Sequence, residues 1–253
     1  MRLANRVALI TGSSRGIGAA IAKRFAEAGA KVVLHGRDES ALSKVHRAIE
    51  EAGGTATHLL ADVTKFAELE ALRERAEAAF GPVDVLVANA GGNTVSPHLA
   101  LEEIPEDGFR SSLEGNLTAT FLTLKSFVPG MKARQAGSII TLSSAASRRP
   151  TRFSPLAYAA AKAGIELLTQ HAAAQLGPYN IRVNCIAPES ILTDKARAQI
   201  PDAQKTKMIE DHPIRRLGTP EDVAEAALYL ASDAAGWVSG VVLDVAGGAV
   251  LAR

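Results

Sequence analysis

The chain has 253 residues, with 28 Lys plus Arg against 27 Asp plus Glu, 47% hydrophobic residues and one cysteine. A formal charge of +1 leaves no basic excess to displace counterions, so no nucleic-acid partner is expected. The single Cys185 excludes an intramolecular disulfide and a Cys-rich zinc site, and no metal site is read. No apolar run reaches the roughly 18 residues of a membrane span. The opening Met1-Arg2-Leu3-Ala4-Asn5-Arg6 leads into a strand without a secretory apolar region, so a cytoplasmic location is expected.

Along the chain, short β-branched runs alternate with longer Ala-rich, charge-flanked segments. Strands are expected at 6–11, 31–35, 55–60, 83–88, 138–143, 181–186 and 241–245. Helices are expected at 16–27, 40–51, 66–79, 113–131 and 158–176. Gly29, Gly53-Gly54, Gly81-Pro82 and Gly177-Pro178 close helices just before the next strand. Several strands are apolar throughout, as strands covered on both faces are. The fold class is therefore α/β, with residues 1–253 forming a single doubly wound domain, a parallel sheet with helices on both faces. Ligands bind such sheets at the carboxyl ends of the strands, so the motifs should follow strands.

The first strand runs into Thr11-Gly12-Ser13-Ser14-Arg15-Gly16-Ile17-Gly18, and a helix follows. Glycine lets the backbone approach a pyrophosphate closely. The helix N-terminus then offers free N–H groups to it. Asn89-Ala90-Gly91 follows the fourth strand, and Tyr158 and Lys162 stand four apart on one helix face. With Asp62-Val63, Asn116 and Gly247-Gly248, this set resembles the short-chain dehydrogenase/reductase family in its version of about 250 residues. The resemblance covers the whole chain. The closest pattern is that of 3-oxoacyl-[acyl-carrier-protein] reductases, through Ala187-Pro188, the run from Pro213 to Ala224, and Asp244-Val245-Ala246-Gly247-Gly248.

The resemblance implies a Rossmann fold with seven parallel strands in the order 3-2-1-4-5-6-7. It implies that Gly12, Ser14, Arg15, Gly16, Ile17 and Gly18 hold the pyrophosphate of a nicotinamide dinucleotide. Asp62 and Val63 would then face the adenine, and Asn89, Ala90 and Gly91 would line the cofactor, with Asn89 also bracing strand ends. Pro188 and Thr193 would touch the cofactor after the sixth strand. In this family an acid that reads the ribose stands just after the second strand, where this chain has Gly36. Arg37 follows, and Arg15 stands in the glycine turn. Two guanidiniums suit a 2′-phosphate, because planar donors pair bidentately with phosphate oxygens, so NADP(H) is favoured over NAD(H).

The resemblance also implies a catalytic set of Asn116, Ser144, Tyr158 and Lys162. An unperturbed Tyr has a pKa near ~10. A neighbouring ammonium and an oxidised nicotinamide lower it, so Tyr158 can act as general acid toward a carbonyl or general base toward an alcohol. Ser144 and Ser143 compete for the substrate oxygen. Ser144 aligns better on the strand end, given one extra residue in the loop 145–157. Asn116 would hold a water against Lys162, or else make a helix-packing hydrogen bond. Glu189 replaces an expected glycine; selecting a polar substrate, repelling an anion and facing solvent stay open. Arg148, Arg149 and Arg152 form a loop that either meets an anion or lies in solvent. Segment 189–216 is expected to be a substrate lid.

The substrate is expected to be a small carbonyl or alcohol. A carrier-protein substrate is weakened by Gln135 and Tyr179 at positions where docking arginines would stand, with Arg134 only adjacent. A sugar or polyol dehydrogenase using NAD is the competitor. An isomerase or dehydratase on the same fold and a non-catalytic NADP(H) sensor are further alternatives. Apolar positions on several faces of 113–131 and 158–176 point to a homotetramer, and Trp237 to packing or a subunit contact.

Overall fold

The computed structural model describes residues 2–92, 99–149 and 154–250. Its sheet has seven strands: β1 Val7–Ile10, β2 Lys31–Gly36, β3 Thr55–Leu60, β4 Val85–Ala88, β5 Gly137–Leu142, β6 Ile181–Pro188 and β7 Val242–Val245. Every pairing is parallel and the order is β3-β2-β1-β4-β5-β6-β7. The order reverses between β1 and β4, which opens a crevice at the carboxyl ends of these strands.

The side-chain period of 2 explains the uniformly apolar strands. Ala8, Ile10, Val32, Leu34, Val85 and Val87 enter one core, which holds Phe25 of α1 (Gly16–Glu27), Leu42 of α2 (Glu39–Glu51) and Leu228 of α9 (Pro220–Ala231). Val7, Leu9, Val33, Leu86 and Ile139 enter the other. That core holds Leu69 of α3 (Phe66–Phe80), Phe127 of α5 (Ala119–Arg134) and Leu176 of α6 (Leu156–Leu176). Each such side chain contributes about 1.5–3 kcal/mol on burial. Helices therefore cover both faces of the sheet.

Three elements differ from the sequence expectation. The helix predicted at 113–131 is longer and interrupted. It begins as α4 (Glu106–Leu113), passes through a π turn at Glu114–Thr118 and continues as α5 to Arg134. α6 begins at Leu156, two residues ahead of Tyr158. The segment 189–216 holds α7 (Asp194–Gln199) and α8 (Asp202–Glu210). An Ile191–Gly218 bridge closes the base of this segment. α9 then starts on a capping box: Asp222 N–H donates to Thr219 Oγ1, and Thr219 N–H donates to the Asp222 carboxylate. Among the described residues no helix is long and apolar enough to cross a membrane.

Candidate active site

The glycine turn after β1 is built for close approach. Gly12 and Gly16 have φ of +67° and +55°, a region that strains other residues. A Cβ on Gly18 would fall 2.3 Å from the Gly12 carbonyl oxygen. The turn is braced from β4: Asn89 Nδ2 donates to the Thr11 and Gly12 carbonyls at 2.8 and 3.0 Å. Thr11 Oγ1 accepts from the Asn89 and Ala90 N–H groups, each at 3.0 Å. Gly91 leaves room for Asn116, since a Cβ there would lie 2.6 Å from Asn116 Oδ1. Ser14 is half-buried on the turn, and Thr193 packs against Gly16 while capping α7 through the Ala196 N–H. Asp62 bends back on its own loop, accepting from Thr64 N–H and Oγ1, and these bonds hold its carboxyl below the usual range. Val63 beside it is half-buried.

At the end of β2 the arginines part company. Arg15 Nη2 pairs with Asp38 at 2.9 Å, and Asp38 also caps α2 through the Ala41 N–H. Arg37 is exposed and has no ion-pair partner among the described residues. Of the two guanidiniums, Arg15 is engaged by Asp38 and Arg37 stands at the surface. Gly36 closes the strand, against Leu42.

A cavity of about 270 Å³ lies at the carboxyl ends of the central strands, lined among others by Ile17, Ser144, Tyr158, Lys162, Pro188 and Ile191. Ser144 lies close enough to Tyr158 to act on its phenol, and its own hydroxyl accepts from the Ala146 N–H at 3.2 Å. Ser143 also lines the cavity, but its hydroxyl is engaged beneath it by the Lys162 carbonyl at 3.0 Å and Glu166 at 2.9 Å. The geometry thus separates the two serines. Lys162 is buried, its Nζ donating to the Leu142 carbonyl at 2.7 Å and lying 5.4 Å from the Tyr158 ring centroid. Burial holds this ammonium down to about 8. The Tyr158 hydroxyl departs from expectation: burial raises its pKa, and only the neighbouring Ser144 side chain opposes this. Desolvation outweighs the ammonium because Nζ is turned toward the end of β5.

Asn116 sits in the π turn. Its amide donates to the Gly92 and Ser112 carbonyls at 2.9 Å each and accepts from the Gly92 N–H at 3.0 Å. These are the bonds of the helix-packing alternative, and they leave the water-mediated link to Lys162 open. Wide turns of this type recur at functional sites. Neither alternative foreseen for the arginine loop describes Arg148 and Arg149. Arg148 pairs with Asp244 at 2.5 Å and Glu166 at 3.3 Å, and Arg149 faces Glu189 at 3.6 Å. Glu189 therefore turns to an arginine of its own chain. Arg152 lies outside the described residues.

Two residues escaped the sequence reading. His35 is buried at the end of β2. Its Nδ1 accepts the Gly12 N–H at 3.3 Å and its Nε2 donates to the Ala61 carbonyl at 3.0 Å. Glu166 underlies the pocket, 12% exposed. Only a strand end and a helix position marked them in sequence. Among the described residues no group of three or more His, Cys, Asp or Glu could hold a metal.

A parallel sheet with this order, and a glycine turn at its switch point, defines a dinucleotide-binding class of α/β protein. Residues 12–250 match the family described as Enoyl-(Acyl carrier protein) reductase. The 7alpha-hydroxysteroid dehydrogenase of Escherichia coli (strain K12) is 41% identical over 250 residues, 99% of this chain and 96% of that one. The cis-4-hydroxycyclohexanecarboxylate dehydrogenase of Sinomonas cyclohexanicum is 42% identical over 245 residues, 97% of this chain and 96% of that one. A solved 7alpha-hydroxysteroid dehydrogenase complexed with NADH and 7-oxo glycochenodeoxycholic acid superposes with a TM-score of 0.92 at 41% identity, covering 98% of this chain and 96% of that one. The chain belongs to the short-chain dehydrogenase/reductase family and is an oxidoreductase.

Proposed function

We propose that the chain is an NADP(H)-dependent oxidoreductase of a carbonyl/secondary-alcohol pair, with Tyr158 as general acid and base. The observation that carries this reading is that Ser144, Tyr158 and Lys162 line one cavity at the carboxyl ends of the central strands. The residues fit a dinucleotide: the Gly12–Gly18 contact leaves backbone where a Cβ would stand, ahead of the α1 N-terminus. When bound, the nicotinamide supplies or accepts the hydride. Tyr158 holds its proton until a carbonyl oxygen arrives, then donates it from Oη. Ser144 fixes that oxygen beside the phenol. Lys162 carries the charge that steadies the phenolate left behind. Asn116 shapes the wall by tying the π turn to Gly92.

An NADP(H) preference is supported by Gly36 where an acid would read the ribose, and by Arg37, which is exposed and has no ion-pair partner among the described residues. The relative solved with NADH supports NAD(H) as the second reading. A hydroxyl on an alicyclic ring is the substrate class we favour, supported by the names of the two relatives. An acyl-carrier protein is disfavoured, because Arg134 turns inward to the Gly130 and Val83 carbonyls. In this reading residues 1–253 work as one domain, 189–216 as its lid, in a cytoplasmic homotetramer.

Tyr158→Phe is expected to abolish turnover while NADPH still binds. Retained turnover would remove Tyr158 from its role. Dinucleotide binding without NADPH oxidation across a broad carbonyl screen would favour a sensor instead.

A further inference from the structure

Beneath the cavity lies a carboxylate that the proton transfer just described does not use. Glu166 stands one turn beyond Lys162 on α6, facing inward. A buried carboxylate is costly unless it is paired and hydrogen-bonded, and Glu166 is both. Its Oε1 accepts from Ser143 Oγ at 2.9 Å and Ser147 Oγ at 2.5 Å, and lies 3.3 Å from Arg148 Nε. These partners bracket Ser144. Ser143 precedes it directly, and the single proton of Ser147 Oγ stands between Glu166 Oε1 and the Ser144 carbonyl, 2.6 Å away. Arg148 continues the network to Asp244 on β7, with bonds of 3.0 and 2.5 Å. The charged and titratable groups around Glu166 are thus Arg148 from the loop, Cys185 from β6 and Lys162 on its own helix, with Asp244 reached through Arg148. Tyr158 is faced by Lys162 and by Ser144.

We propose that Glu166 is a positioning residue for Ser144: a single carboxylate oxygen holds both flanking serines, and with Arg148 and Asp244 it ties the loop after β5 to α6 and β7. The Ser144 hydroxyl, which accepts from the Ala146 N–H at 3.2 Å, is thereby held on the cavity wall it shares with Tyr158. The inference rests on the reading that Ser144 and Tyr158 act together on the substrate oxygen. It gives a role to residues whose charges read as loop or surface in sequence.

The test compares Glu166→Ala, Glu166→Gln and Ser147→Ala with the wild type, using a cyclohexanol-type substrate or its ketone. Glu166→Ala is expected to lower kcat on the order of tenfold to a hundredfold, as for a displaced catalytic group, with NADPH affinity unchanged. Its limb for alcohol oxidation should move to higher pH by about one unit, because the phenolate loses the Ser144 side chain beside it. Glu166→Gln keeps an acceptor oxygen in place and should recover most of the rate. Ser147→Ala removes one tether, leaves the carboxylate paired, and should reproduce part of the loss and of the limb shift. It carries the test if Glu166→Ala does not fold. Wild-type kcat and pH limb in Glu166→Ala, or in Ser147→Ala where that variant stands in, overturn the inference. So does a Gln variant as slow as Ala, or a rate loss that comes with lost NADPH affinity and an unmoved limb. Tyr158→Phe run in parallel separates the two claims. If it is inactive while the Glu166 variants are normal, only the positioning role fails; if it stays active, both fall.

Discussion

Asp38 is the carboxylate that counting residues would assign to the ribose, and both of its oxygens are engaged. One accepts from the Ala41 N–H at 3.0 Å and the other from Arg15 Nη2 at 2.9 Å. Each oxygen can still accept a ribose hydroxyl on its second lone pair, but Arg15 already neutralises this carboxylate, whereas a 2′-phosphate would meet Arg37, which has no ion-pair partner among the described residues. Charged hydrogen bonds contribute about 1.5–3 kcal/mol. Arg37→Ala is therefore expected to weaken NADPH about tenfold or more and to leave NADH unchanged in fluorescence titration. Equal or tighter NADH binding by the wild type would move the ribose contact to Asp38 or another group. His35 acts on the same turn through a different property. Burial pushes its pKa from 6.5 down to about 4, so Nδ1 stays free to accept the Gly12 N–H. The unfolded chain binds the proton near ~6.5. Between these values the unfolded state holds more protons, so stability is whole above the upper value and is lost as pH falls toward the lower. The loss reaches about 3 kcal/mol. Urea unfolding of His35→Gln across that window should show a flatter profile than wild type, and an unchanged slope would dissociate His35 from acid sensitivity.

At the scale of the element, the turn between β1 and α1 is limited by space as well as by torsion. Gly18 has an ordinary backbone, yet a Cβ would meet the Gly12 carbonyl oxygen at 2.3 Å and Asn89 Nδ2 at 2.6 Å. Gly18→Ala should cost about 1–3 kcal/mol by overpacking and remove dinucleotide binding, measured by thermal unfolding and titration. A variant with wild-type melting and affinity would show that the turn yields. This element was legible in sequence because its constraint is local: strand, glycines and helix follow one another. The strands were legible for a related reason, since cover on both faces leaves apolar residues at every position. What was hidden depends on partners far along the chain. α4 reads as polar, with Ser112 its one buried residue, because it packs on α6. The π turn is held by the bonds of Asn116 to Gly92 and Ser112, which no local pattern announces. The charges of Arg148, Arg149, Glu166 and Asp244 look the same in sequence whether they face solvent or one another. The choice between Ser143 and Ser144 could be made from position, but what engages the Ser143 hydroxyl lies on α6.

For the whole molecule, the informative feature is apolar surface that the fold leaves uncovered. Phe121 on α5 is 47% exposed, and Leu156 and Leu167 on α6 are 45% and 57% exposed. Trp237, on the segment leading into β7, is 101% exposed and does not pack within its own chain, which corrects the packing alternative for this residue. Tyr229 on α9 and Val241 beside β7 are also exposed, at 39% each. In the assembly proposed above, exposed apolar residues of this size would lie in subunit contacts. They fall in two regions of the chain, α5–α6 and α9–β7. Two distinct self-complementary faces generate a tetramer with dihedral symmetry, whereas one face stops at a dimer. The expected outcome of sedimentation is a tetramer for the wild type. Leu167→Glu should leave a dimer joined through the α9–β7 face, and Trp237→Glu a dimer joined through α5–α6. The double variant should sediment as a monomer, because a carboxylate buried on each face is desolvated without a partner. A wild type that sediments as a monomer would overturn the assembly outright. A tetramer unmoved by both substitutions would place its contacts elsewhere on the surface.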